Sequence, residues 1–232
     1  MKTYDKVKLN DQAYPATIGQ LLHDRPLFAM GRVDLMHQTA IGICGSRDAS
    51  KRALHWAHHF GGEAARQGLV VVSGYARGVD REAHRGALEA GGQTIAVLPE
   101  GIQRFSLVKE LRSLVDFERN FLALSMFQPD AVWKAWMAME RNRLIVGLSM
   151  ALFVIEARPR GGTINAALEC VRQKKRLYAI AYRSESESDV GNRRLIADSA
   201  IPLKHVGELQ DALRQAMSDP PAEVRQLVLN LV

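Results

Sequence analysis

Ala40-Ile-Gly-Ile-Cys-Gly-Ser-Arg47, Leu69-Val-Val-Val-Ser-Gly-Tyr-Ala-Arg-Gly78 and Ala151-Leu-Phe-Val-Ile-Glu-Ala-Arg-Pro-Arg-Gly-Gly-Thr163 share one grammar: an apolar run, a glycine-bearing turn, then a helical pattern. Short apolar runs bounded by glycine predict buried strands, and their alternation with helices predicts βαβ units. Parallel strands in one sheet bring all three turns to the same edge, where helix N-termini offer free N–H groups to anions. Arg47, Arg77, Arg158 and Arg160 stand in these turns, and guanidinium groups match phosphate oxygens. The expectation is an edge that binds a nucleotide or a polyanion.

Outward from these turns, the same alternation places strands near 40–44, 69–73, 94–98, 121–125, 151–155 and 176–181. Helices are expected near 50–67, 79–91, 106–116, 131–149, 162–173 and 207–217. The fold class is therefore α/β, a Rossmann-like mostly parallel sheet with helices on both faces. Ser50 suits the cap of the first helix, Gly68 its end, and Asp80 the first turn of the next. Residues 182–192 are polar and aperiodic and read as a surface loop. Residues 1–38 read as a leader packed on the core, 39–218 as the domain, and 219–232 as a tail that docks on the domain or on a second copy.

At 232 residues, with 47% hydrophobic and 24% charged residues, the chain has the size and composition of one globular α/β domain. Its formal charge of +6 favours an acidic partner. The two cysteines, Cys44 in a strand and Cys170 in a helix, read as core residues in a reducing compartment, without CxxC or metal-ligand spacing. The first ten residues lack the apolar segment of a signal peptide, and no apolar run approaches the roughly 20 residues of a membrane span. A cytoplasmic protein without a membrane partner is expected.

The segment Ser73-Gly-Tyr-Ala-Arg-Gly-Val-Asp-Arg-Glu-Ala-His-Arg-Gly-Ala-Leu-Glu-Ala-Gly-Gly-Gln-Thr-Ile-Ala-Val97 resembles the signature of the DprA/Smf DNA-processing family. Gly45-Ser46-Arg47 with Ser50, then Arg141-Asn-Arg-Leu-Ile-Val-Gly-Leu-Ser149, Val154-Ile-Glu156, Gly161-Gly162-Thr163 and Gly191-Asn192 follow in the family's order, over roughly residues 14–205. The resemblance implies a Rossmann-like domain that binds single-stranded DNA, forms a homodimer and hands the strand to a RecA-type recombinase during uptake or repair, without catalysis. By the same resemblance, Gly45, Ser46 and Arg47, then Ser73, Gly74, Arg77 and Gly78, hold backbone phosphates. Arg141, Arg143 and Lys109 line the groove, with Gly162 and Thr163 at its third wall. This chain departs from the family in having Gly161 and Ala166 in place of a serine and a threonine, and Gln103-Arg-Phe-Ser106 in place of an acidic residue and a Tyr-Pro pair. Its length also implies a short form without the winged-helix domain that many members carry.

Other signals have plainer readings. Asp80 and His84, one helical turn apart, are read as a cap and a hydrogen-bonded histidine rather than an acid/base pair. His55, His58 and His59 lack a carboxylate or cysteine partner motif, so no metal is expected, and nothing calls for a cofactor. Arg81 and Arg85 read as a solvated face, and Arg172, Lys174, Lys175 and Arg176 as a basic helix end. Trp133 and Trp136 are read as core or dimer contacts, and Phe105, after a strand end, as the base-stacking candidate. Glu156 is expected to orient Arg141 or Arg143. Two alternatives share the fold: a sensor of a nucleotide signal, and a LOG-type nucleotide phosphoribohydrolase, whose glutamate position is Ala166 here.

Overall fold

The computed structural model describes residues 5–7, 15–23, 25–184 and 186–218. Its apolar runs form strands because small and β-branched residues on both sides of each run meet covering helices. The strands are β1 (Asp5–Val7), β2 (Leu27–Gly31), β3 (Ala40–Cys44), β4 (Val70–Ser73), β5 (Thr94–Val97), β6 (Phe121–Ser125), β7 (Ala151–Val154), β8 (Arg176–Ile180) and β9 (Ile201–Leu203). They form one sheet in the order β1-β2-β6-β5-β4-β3-β7-β8-β9. From β6 to β9 every neighbouring pair is parallel, whereas β1 and β2 join the β6 edge antiparallel. The chain winds outward from β3 in one direction and from β7 in the other, the doubly wound order that opens a crevice where the two halves part.

Side chains alternate between two cores with the period of a strand. Val70, Val72, Ile95, Val97, Leu152 and Val154 face one cluster, covered by α1 (Ala16–Leu22), α5 (Asn142–Leu148), α6 (Gly162–Arg172) and α7 (Val190–Asp198). Ile41, Ile43, Val71 and Phe153 face the other, covered by α2 (Lys51–Arg66), α3 (Val79–Glu89) and α8 (Gly207–Met217). A Cβ on Gly61 would fall on the Ala83 carbonyl, and one on Gly86 on the His58 carbonyl. Those glycines let α2 and α3 cross backbone to backbone.

Several elements differ from expectation. Residues 106–116 form only a short 3-10 turn at Lys109–Leu111. Their helical spacing of apolar residues is used to wrap the aromatic cluster of Tyr75, Phe105 and Phe121, and the Tyr75 hydroxyl accepts the Val108 N–H at 2.9 Å. The long helix expected over 131–149 is two short ones, α4 (Ala135–Glu140) and α5, with Arg141 at the junction. The polar stretch 182–192 contains a 3-10 turn at Glu187–Asp189 and ends inside the first turn of α7. Its polarity serves a buried network: Asp189 accepts from Arg52 and Arg193, and Asn192 donates to the Ile155 and Ile180 carbonyls. Within the segment read as a leader, β2 is a strand of the sheet itself, paired with β6. Residues 1–4, 8–14 and 24 of the segment read as a leader, and the tail 219–232, lie outside the described residues.

The basic helix end is also differently employed. Lys175 is no solvated cation: its ammonium donates to the carbonyls of Val146, Gly147 and Ser149 at 2.6, 2.8 and 2.6 Å, closing the end of α5, and burial pulls its pKa down to about 8. Among the described residues no helix is long and apolar enough to cross a membrane.

Candidate functional site

The parting of β3 and β7 leaves a cleft of about 380 Å³ at the C-terminal edge of the sheet. Its walls come from the turn after β3 (Gly45, Ser46, Arg47, Asp48), the turn after β7 (Arg158, Arg160) and the start of α6 (Gly162, Thr163). A second cleft of about 360 Å³ opens over the ends of β4 and β5, lined by Gly74, Tyr75, Arg77, Arg81 and Leu98 among others. Arg47, Ala76, Trp133 and Arg141 line both, so the two form one trough across the edge. Four arginines face two carboxylates in the first cleft, and four face one in the second. The trough is cationic along its length.

The glycines set its floor. Gly78 has φ +85° and backs onto the Ser46 and Arg47 carbonyls, where a side chain has neither the backbone conformation nor the room. That contact joins the first two turns, with Val79 N–H donating to the Ser46 carbonyl at 3.2 Å. Ser46 N–H in turn donates to the Glu156 carbonyl at 2.8 Å, tying in the strand end of β7. The Ser46 amide, expected to hold phosphate, is therefore spent on holding the turns together, while the residue still lines the cleft. Ser73 is corrected likewise: it is fully buried, and its hydroxyl donates to the Ile43 carbonyl at 2.6 Å.

Arg141 is the central feature. It is only 5% exposed, its guanidinium lies against Gly74, and its nearest carboxylate, Asp80, is 3.9 Å away, beyond hydrogen-bond length. Its Nε is buried without a hydrogen-bond partner. Burial lowers the Arg141 pKa and raises that of Asp80, while the attraction between the two opposes both shifts. A buried guanidinium short of acceptors is costly unless an anion arrives to supply them. The bend between α4 and α5 is what carries Arg141 inward, and Asn142 anchors that bend by donating to the Gly162 carbonyl at 3.0 Å.

Other expected residues lie elsewhere. Arg143 points away from the trough, donating to the Leu21 carbonyl at 2.9 Å and pairing with Glu140 and Glu169. Lys109 is exposed beside the second cleft but outside its lining. Phe105 is 3% exposed, packed among Tyr75, Phe117 and Phe121, so its ring faces are covered by other rings and offer no open stacking surface. Glu156 orients neither Arg141 nor Arg143: it accepts from Ser50 N–H, Ser50 Oγ and Ser188 Oγ, fixing the N-terminus of α2. Arg77 remains at the trough, paired there with Asp48.

Sequence reasoning missed two lining residues. Arg81, read as solvated, lines the second cleft over the Tyr75 ring, whereas Arg85 does pair with Glu82 on the outer face. Trp133, read as core or dimer contact, is 44% exposed and lines both clefts, with the Arg47 guanidinium 5.9 Å from its ring centroid. Ala166 lines the first cleft, whose lining carboxylates are Asp48 and Asp80.

Comparison with known proteins places this architecture. The family described as DNA recombination-mediator protein A matches residues 6–214. DNA processing protein DprA of Streptococcus pneumoniae is 32% identical over 212 residues, 88% of this chain and 72% of its own. Its X-ray structure superimposes with a TM-score of 0.79 over 90% of this chain and 74% of that one, at 27% identity. DprA of Bacillus subtilis is 28% identical over 177 residues, 75% of this chain and 59% of its own length. DprA of Helicobacter pylori, whose structure was described for its single-stranded DNA binding mode, shares the fold with a TM-score of 0.77 at 23% identity, covering 94% of this chain and 98% of that one. The chain spans about half to three-fifths of the length of most curated relatives it matches.

Proposed function

The chain belongs to the DNA recombination-mediator protein A family, and from that membership and the site's geometry we propose that it binds single-stranded DNA along the trough. Backbone phosphates sit against Arg47, Arg77, Arg158 and Arg160, with Gly162 and Thr163 allowing close approach, Gly74 making room for the Arg141 guanidinium, and Arg141 meeting the strand from below. The observation that carries this reading is Arg141: a buried cation with an unpartnered Nε, at the floor of a cationic cleft where the sheet's two halves part. The H. pylori relative's description for its single-stranded DNA binding mode supports the ligand class. Contacts of this kind go to the backbone and carry little sequence preference.

The same reading has the protein act as a homodimer that protects exposed strands and passes them to a RecA-type recombinase, in keeping with the family's description as recombination mediators. It includes no chemical step. Ala166 in the cleft wall, where the LOG pattern has glutamate, argues against nucleotide hydrolysis.

The test is fluorescence anisotropy of labelled oligo-dT across a salt series, for the wild type and Arg47→Ala. Affinity is expected to fall with salt with a log–log slope of about −0.7 per phosphate contacted, and the substitution to weaken binding and flatten the slope by about 0.7. Salt-insensitive binding, or none at low salt, overturns the reading and turns attention to a mononucleotide ligand.

A further inference from the structure

Large aromatic side chains on a soluble protein are rarely left open, because each withholds a substantial apolar area from burial. Residues 132–139 nevertheless expose Val132, Trp133, Trp136 and Met139 by 58%, 44%, 57% and 46%. The two tryptophans differ in setting. Trp136 stands edge-on to Phe127 and lines neither cleft. Trp133 lines both, as Arg47 and Arg141 do, with the Arg47 guanidinium 5.9 Å from its ring centroid.

We propose that Trp133 is a base-binding subsite: as the strand crosses from one cleft to the other, one of its bases stacks on the Trp133 ring. The inference rests on reading the trough as a single-stranded DNA groove and adds the part that reading lacks, a contact to the bases. Arginines on either side of the ring hold the flanking phosphates, which presents the intervening base to the indole. Every base has a π-face, so such a platform is tolerant of sequence. It also separates single strands from duplex, whose bases are already stacked and paired. The other two aromatics of the second cleft cannot serve: Phe105 is covered by rings, and Tyr75 is 8% exposed with the Arg81 guanidinium over its ring.

The experiment compares oligo-dT with an abasic strand of equal length, binding each to the wild type, Trp133→Ala, Trp133→Phe and Trp136→Ala. The abasic strand keeps the phosphates and removes the bases. The wild type should prefer oligo-dT, and Trp133→Ala should lower oligo-dT affinity roughly 5- to 150-fold, the range of one lost base–aromatic stack, while leaving abasic affinity unchanged. Trp133→Phe should restore most of the loss and Trp136→Ala should match the wild type. Equal affinity of the wild type for both strands overturns the stacking role and leaves the phosphate groove standing. An equal loss on both strands in Trp133→Ala overturns it too, marking the ring as a structural or protein contact. No binding of either strand to the wild type at low salt overturns the inference together with the groove.

Discussion

The guanidinium of Arg141 and the carboxylate of Asp80 lie 3.9 Å apart, both side chains buried, with the Arg141 fork filling the space beside Gly74. The pair is close enough for charge compensation and too far for a hydrogen bond. It holds a cation under the trough without using up its donors.

Removing the carboxylate should expose that cost. Asp80→Asn leaves Arg141 buried and uncompensated, a change that typically destabilises by about 3–5 kcal/mol. Chemical denaturation measures the loss. Saturating oligo-dT should raise the melting temperature of Asp80→Asn more than that of the wild type, since the strand's phosphate replaces the missing charge; an equal rise would show that the strand does not reach Arg141.

Gly74 tests the same geometry from the other side. A Cβ at this position falls inside the Arg141 guanidinium, so Gly74→Ala must push the side chain out of its seat. Because the clash meets the far end of a flexible side chain rather than backbone, the cost to the fold is small and falls on the Arg141 seat. The variant is expected to fold, by circular dichroism, and to bind oligo-dT no better than Arg141→Gln. Wild-type affinity in Gly74→Ala would show that the seat is irrelevant to binding.

In the proposed groove, Asp48 competes with the strand's phosphates for its arginines. Its exposed carboxylate pairs with Arg77 and lies 3.8 Å from Arg158, bridging the turns after β4 and β7 with a negative charge where phosphates are proposed to sit. A strand must displace it. Exposed pairs are worth only about 0.2–1 kcal/mol each, so Asp48→Asn should tighten oligo-dT binding by about two- to tenfold at low salt, an advantage that shrinks as salt rises. Anisotropy at two ionic strengths reads both effects, and weaker binding by the variant would refute the competition.

His84 gives the fold a pH dependence. Thr94 has a single hydroxyl proton, which it donates to the Val71 carbonyl at 2.7 Å, so His84 Nδ1–H must be the donor to Thr94 Oγ1 and the bare Nε2 is left buried without a partner. Burial, reinforced by Arg141 and Arg81, lowers the His84 pKa from 6.5 to about 3. The folded state therefore keeps the ring neutral while the unfolded chain protonates it. Its stabilising contribution is fully present above pH 6.5 and is lost as pH falls toward 3, at about 1.4 kcal/mol per pH unit. Denaturation midpoints between these limits should follow that slope, and His84→Gln should flatten it.

Much of this was legible in the chain. Six strands were placed within a residue or two, because buried parallel strands are short apolar runs punctuated by glycine, a local signal. The mostly parallel sheet, the three turns on one edge and the arginines upon them follow from the same pattern, whereas the doubly wound strand order is set by tertiary pairing. β2 is not legible in the sequence, because Leu27-Phe-Ala-Met-Gly31 lacks β-branched residues and follows a proline; only its pairing with β6 marks it as sheet. The helix expected over 106–116 failed for the converse reason. Its period is helical, but a hydroxyl from Tyr75 and an aromatic cluster elsewhere claim the segment.

What the sequence by itself determined is which groups stand at the edge of the sheet: strand and turn propensities act between near neighbours, and parallel winding then gathers their ends. What only the tertiary structure decided is which of those groups remain available. Ser46 N–H and Ser73 Oγ are consumed by the β7 end and by β3, Arg143 by α1, and Phe105 by its neighbouring rings, whereas Arg141 is buried short of partners and Trp133 is left open. Each of these outcomes depends on a contact between residues distant in the chain, and the saturation or exposure of a polar group or a ring is a property of its surroundings rather than of its residue type.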